Sequence, residues 1–160
     1  MHRTVITIAL VGSLASGAVA VTAWAGPGRH KPERQHGRTI TVTEHATTDA
    51  TTDTGTPGDT AGDLLTFANE VFDAGDQQQV GSDHGSCIRV EPGASYECAW
   101  TTELPGGQIM VQGPFFDASD SVLAITGGTG RFARARGSMR LHAIENGTKF
   151  VFEFRLRPAG

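Results

Sequence analysis

The sequence predicts an all-β fold, a closed eight-stranded antiparallel barrel, from three features. Glycine supplies 21 of the 160 residues, and turn signals built on Gly, Pro and Asn recur between short segments of alternating polarity. No segment carries an apolar repeat at helical spacing. Eight consecutive strands, each with one apolar face, would leave long edges exposed in an open sheet. Closing the sheet removes those edges and leaves an interior able to hold side chains or one small ligand.

The first strand is Arg38–His45, with Ile40, Val42 and Glu44 on one face and Thr41, Thr43 and His45 on the other. A Thr-rich polar tract over 46–62 follows, too long for a hairpin turn and expected to be a partly ordered loop. The second strand, Leu64–Asp73, puts Leu65, Phe67, Asn69 and Val71 on one face. Strands are then expected at about 78–90, 95–103, 108–115, 121–126, 133–144 and 149–157. The final hairpin is the best specified. Its Asn146-Gly147 turn sets Ala143 against Phe150, Leu141 against Phe152 and Met139 against Phe154 on one face, with Arg140 opposite Glu153 on the other. A slip of one residue would scramble both faces.

Length fits one domain, placed at 38–157. Residues 1–25 read as a secretory signal peptide: a basic start at Arg3, an apolar run from Val5 to Val21, and small Ala23 and Ala25 before a cleavage point at Gly26. The alternative is a retained N-terminal anchor. Residues 26–37, rich in Gly, Pro, His and charge, read as a flexible leader. The expected location is therefore extracellular, with no membrane contact after cleavage. A net charge of −4 and a pI near 5.8 give no basis for general nucleic-acid binding.

The two cysteines flank a turn at Glu91-Pro92-Gly93-Ala94, and pairing about that turn brings Cys87 opposite Cys98. An exported chain meets an oxidising compartment, so a disulfide is expected, the alternative being a free Cys87 serving the site. His30, His36, His45, His84 and His142 lack metal-ligand spacing, so neither a metal nor another cofactor is expected. Gly127-Gly128-Thr129-Gly130 lacks the Lys and the following helix of a phosphate loop. Arg131, Arg134, Arg136 and Arg140 read as a solvated basic rim.

Several stretches resemble the allene oxide cyclase family: Gly62–Asn69, Val80-Gly81 with Gly85-Ser86-Cys87, Gly107–Phe115, and Asp120–Phe132 continued by Ala135-Arg136-Gly137. The last also resembles the Gly-Thr-Gly and Ala-Arg-Gly turn of dirigent proteins. The resemblance spans about 40–156 and implies an eight-stranded barrel with an apolar lumen, often assembled as a trimer. It implies that Asn69 holds an ordered water beside a bound epoxide and that Leu65, Phe67, Cys87 and Phe115 line the lumen. Phe115 stands where the family usually has Tyr, so a hydroxyl is missing. The simplest alignment puts Thr41 at the family's first-strand carboxylate, whereas alternation turns Glu44 inward.

These residues carry two readings each. Asn69 either satisfies strand backbone or anchors water or substrate. Glu44 is either a rim carboxylate in solvent or, if buried among apolar residues, a proton donor or acceptor. The expected function is a secreted barrel binding a small hydrophobic molecule, with Glu44 and Asn69 assisting an intramolecular cyclisation or isomerisation. The alternative is a non-catalytic dirigent-like or lipocalin-like binding protein.

Overall fold

The computed structural model describes residues 37–158, so the signal-peptide segment and the leader up to residue 36 lie outside the described residues. The strands are β1 (Arg38–His45), β2 (Ala50–Thr52), β3 (Leu64–Phe72), β4 (Gln79–Glu91), β5 (Ser95–Leu104), β6 (Gly107–Phe116), β7 (Ser121–Gly128), β8 (Gly137–Ile144) and β9 (Lys149–Leu156). From β3 to β9 each strand pairs with its sequence neighbour, and β9 pairs with β1. Thr43–His45 of β1 then pair with Glu70–Phe72 of β3, closing eight antiparallel strands into a barrel.

The Thr-rich tract is more ordered than expected: β2 within it pairs with Leu64–Thr66 of β3. The stagger of the closed sheet explains this. β1 reaches only residues 70–72 of β3, which leaves the first residues of β3 without a partner on that side. Thr51 and Thr52 are β-branched and suit that place. At the other closing contact, Asp76 accepts hydrogen bonds from Lys149 Nζ at 2.8 Å and pairs with His45 Nε2 at 2.6 Å, while the His45 ring stacks on Phe72.

Both diagnostic turns form. Ala94 N donates to Glu91 O at 3.0 Å and Gly93 has a φ of 69°, placing Pro92 and Gly93 at the centre of a type II turn. A register shift between Arg89 and Glu91 separates this turn from Cys87, which faces Cys98 and is disulfide-bonded to it. In the last hairpin Asn146 and Gly147 both have positive φ, as a type I′ turn requires, and the three apolar pairs fall in the expected register. Arg140 lies opposite Glu153, yet its ion pair is with Asp120, and Glu153 pairs instead with Arg155 at 2.8 Å. The strand expected from residue 133 starts only at Gly137, because Gly130–Phe132 make a 3₁₀ turn that buries Phe132.

Alternation sends Ile40, Val42 and Glu44 inward, each opposite an inward Phe of β9: Phe154, Phe152 and Phe150 in turn. Val42, Ile109, Leu123, Met139 and Phe154 are buried together and fill one stretch of the interior. Gly85 makes room in the wall. A Cβ there would lie 2.3 Å from Trp100 Cβ and 2.6 Å from Phe67 Cζ, so its absence lets the Phe67 and Trp100 rings meet edge to face inside.

Candidate active site in the barrel lumen

The filling stops short of the end where β1 and β8 finish and β9 begins. There a pocket with about 360 Å³ of empty space, its mouth included, is lined by Leu65, Phe67, the Cys87–Cys98 disulfide, Trp100, Phe115 and the β8 and β9 residues Leu141, Phe150 and Phe152. Its charged lining consists of two carboxylates, Glu44 at the end of β1 and Asp49 from the tract that follows, and the Nε1 of its lining residue Trp100 is buried without a hydrogen-bond partner. Arg89 builds the neighbouring rim. It lies over the Tyr96 ring, donates from Nη1 to Asp117 at 2.7 Å and sets Nε 2.7 Å from Asp59, tying two loops and β5 to β4.

Asn69 organises the polar corner and is 1% exposed. Its Nδ2 donates to Glu44 Oε1 and to Asp49 Oδ1, each at 2.7 Å. Its Oδ1 accepts from Thr47 N at 3.1 Å and from Thr48 N and Oγ1 at 2.9 Å. Ala68 N in turn donates to Thr48 Oγ1. These side-chain bonds replace ladder bonds where the chain leaves β1 and has not yet entered β2. Both donors and the carbonyl of Asn69 are thereby used, and it does not line the pocket.

Glu44 is 5% exposed and Asp83, opposite Asn69 in the β3–β4 register, is 0% exposed. Asp83 Oδ2 is buried without a hydrogen-bond donor, and the proton affinities of the two carboxyls are linked. Burial, then the charge of Glu44, pushes Asp83 up to about 9. Burial raises Glu44 to about 7, with the Asn69 hydrogen bond and the neighbouring Asp83 holding it down and the Asp49 charge pushing it up. Burial thus favours the protonated form of the pair at neutral pH, and Glu44 is the member of the pair that lines the pocket.

Leu65, Phe67, Cys87 and Phe115, named from the sequence, all line this pocket, and Glu44 faces it. Thr41 is not among the lining residues and sits opposite Glu153. Cys87 is oxidised, which removes it as a nucleophile. Sequence reasoning missed Trp100, Phe150, Phe152, Asp49 and Asp83. Counting back in steps of two from Cys87 puts Asp83 on the inner face, so that signal was present; nothing in the Thr-rich tract marked Asp49.

The allene oxide cyclase family model matches residues 41–159. The chain belongs to the allene oxide cyclase family. Among solved structures, this family member is similar to a pyocyanin demethylase at 29% identity with a TM-score of 0.65, covering 74% of this chain and 99% of that one. A pterocarpan synthase dirigent protein matches at 13% identity and a TM-score of 0.60, covering 79% of this chain and 99% of that one. A Diels–Alderase from Streptomyces koyangensis matches at 14% identity and 0.59, covering 79% and 72%. The last two likenesses establish the shared barrel fold. In this allene oxide cyclase family barrel, the arrangement on hand is an aromatic pocket with a buried carboxyl at its polar corner.

Proposed function

We propose that the barrel binds a small hydrophobic molecule in its lumen and that Glu44 moves a proton to or from it during an isomerisation or cyclisation. The observation that carries this is a buried carboxyl, proton affinity raised to about 7, facing an aromatic pocket that opens to solvent. Glu44 in its acid form gives its proton to a substrate heteroatom as a bond there breaks. After the new bond closes, the Glu44 carboxylate takes a proton back, so the product is an isomer and the enzyme is unchanged. Asn69 is a positioning residue that fixes the Glu44 carboxyl. The rings confine a flexible substrate to one reactive shape, and such ordering can remove several kcal/mol of barrier.

The test is mass spectrometry of molecules retained by the purified protein, followed by turnover of any ligand found. Glu44→Gln should retain the ligand and lose at least ~100-fold in turnover. Undiminished turnover in that variant, or the lack of any retained or bound small molecule, overturns the reading. A second reading is a non-catalytic carrier. It is favoured by the fact that Asn69 uses every donor and acceptor on the protein itself, leaving none free for a reaction water. Binding without turnover in the unaltered protein would establish that reading.

Export belongs to the same proposal: protein recovered from the medium should begin at Gly26. So does a homotrimer. Ile88, Val90, Met110, Phe116 and Val122 are exposed on β4, β6 and β7, and burying them between copies would remove that apolar surface from water. Light scattering of the purified protein reads the assembly directly.

A further inference from the structure

The polar corner has an uneven charge inventory. Glu44, Asp49 and Asp83 converge on it, and the side-chain donor that Glu44 and Asp49 share is the uncharged amide of Asn69. No Lys, Arg or His lines the pocket among the described residues. The nearby cations are engaged elsewhere: Arg89 with Asp59 and Asp117, Lys149 with Asp76 and Glu145. The rest of the wall is aromatic. The Phe115 and Phe150 rings meet edge to face with centroids 5.8 Å apart, and the Trp100 and Phe152 centroids are 5.5 Å apart. Ring faces carry partial negative charge and attract a cation most when water is excluded. Trp100 Nε1 is a neutral donor without a partner, so among the described residues neither half of the pocket carries a positive charge.

We propose that the ligand class of this pocket is a small organic cation, with a quaternary or iminium-type nitrogen held among Trp100, Phe115 and Phe150 and with Asp49 as its counter-charge. The inference rests on the lumen being a ligand site and narrows what the site takes. A fatty-acid-like anion is disfavoured by the same inventory: no cation meets its carboxylate, and the corner carboxylates repel it. A neutral aromatic of equal shape gains the ring contacts alone.

Three bicyclic probes of one shape separate these cases: N-methylquinolinium, 1-methylnaphthalene and 1-naphthoate, titrated calorimetrically into the full chain at pH 8. The cation should bind at least ~10-fold more tightly than the neutral probe, and the anion most weakly. Asp49→Asn keeps an acceptor for Asn69 and removes one charge at an exposed position. It should weaken the cation ~3- to 10-fold and leave the neutral probe unchanged. Equal or tighter binding of the neutral or anionic probe overturns the cation assignment while leaving the lumen as a ligand site. Failure of all three to bind overturns both. An Asp49→Asn effect on the neutral probe as large as on the cation also overturns the assignment.

Discussion

Glu44 and Asp83 differ in role because of their neighbours. Glu44 receives a donor from Asn69 and neighbours Asp83, and both lower its proton affinity against the larger opposing effect of burial. Asp83 Oδ1 accepts from Asn69 N at 3.3 Å, while burial and the Glu44 charge together keep the proton on Asp83. Asp83→Val removes this neighbour of Glu44 without adding a charge, so the Glu44 titration midpoint should rise above 7. Asp83→Asn keeps a polar group there and should leave the midpoint near 7. Carbon NMR of the Glu44 carboxyl across a pH series checks both, and a fall in the Asp83→Val midpoint would refute the assignment. At this scale the sequence was half legible. Period-two alternation turned Glu44 inward while the alignment favoured Thr41 and a solvent-facing rim position stayed open; the structure buries Glu44. Asn69's commitment to Thr47 and Thr48 was not legible, because its partners lie in a tract without any period.

The elements divide along the same line. Where pairing is local, turn chemistry and alternation were enough: Asn146-Gly147 and Pro92-Gly93 set two hairpin registers and, through the second, the disulfide. The closure between β1 and β3 is non-local and spans only three residue pairs. Its stagger, and with it the existence of β2, follows from how eight strands wrap, which no single segment records. Asn69 is the stitch across this seam. Asn69→Ala should therefore do more than trim a polar group. It leaves Glu44 buried without that donor and frees the Thr47 and Thr48 amides. Stability should fall by about 3 kcal/mol, and hydrogen exchange should accelerate over residues 46–52 while the β8–β9 hairpin keeps its protection. Uniform acceleration in both places would instead mean that Asn69 supports the whole barrel and not the seam.

For the molecule as a whole, the buried acid pair ties folding to pH with a definite sign. In the unfolded chain Glu44 and Asp83 lose their protons near 4.5 and 3.8; in the barrel they hold them to about 7 and about 9. Through that window the folded state binds more protons, so stability contributed by the pair is complete below about pH 4 and declines as pH rises. The slope is at most ~1.4 kcal/mol per pH unit for each retained proton, and it vanishes above about 9. Asp63, Asp76 and Asp120 act oppositely. Their hydrogen bonds lower their proton affinity, so what they contribute is present at neutral pH and lost on acidification. The stability optimum should accordingly lie on the mildly acidic side of neutrality. Asp83→Asn, uncharged at every pH, should flatten the alkaline arm while leaving the acid arm in place. Urea midpoints measured from pH 4 to 9 for both proteins test this. An alkaline arm equally steep in the variant would show that the Glu44–Asp83 pair does not hold its extra proton in the folded barrel.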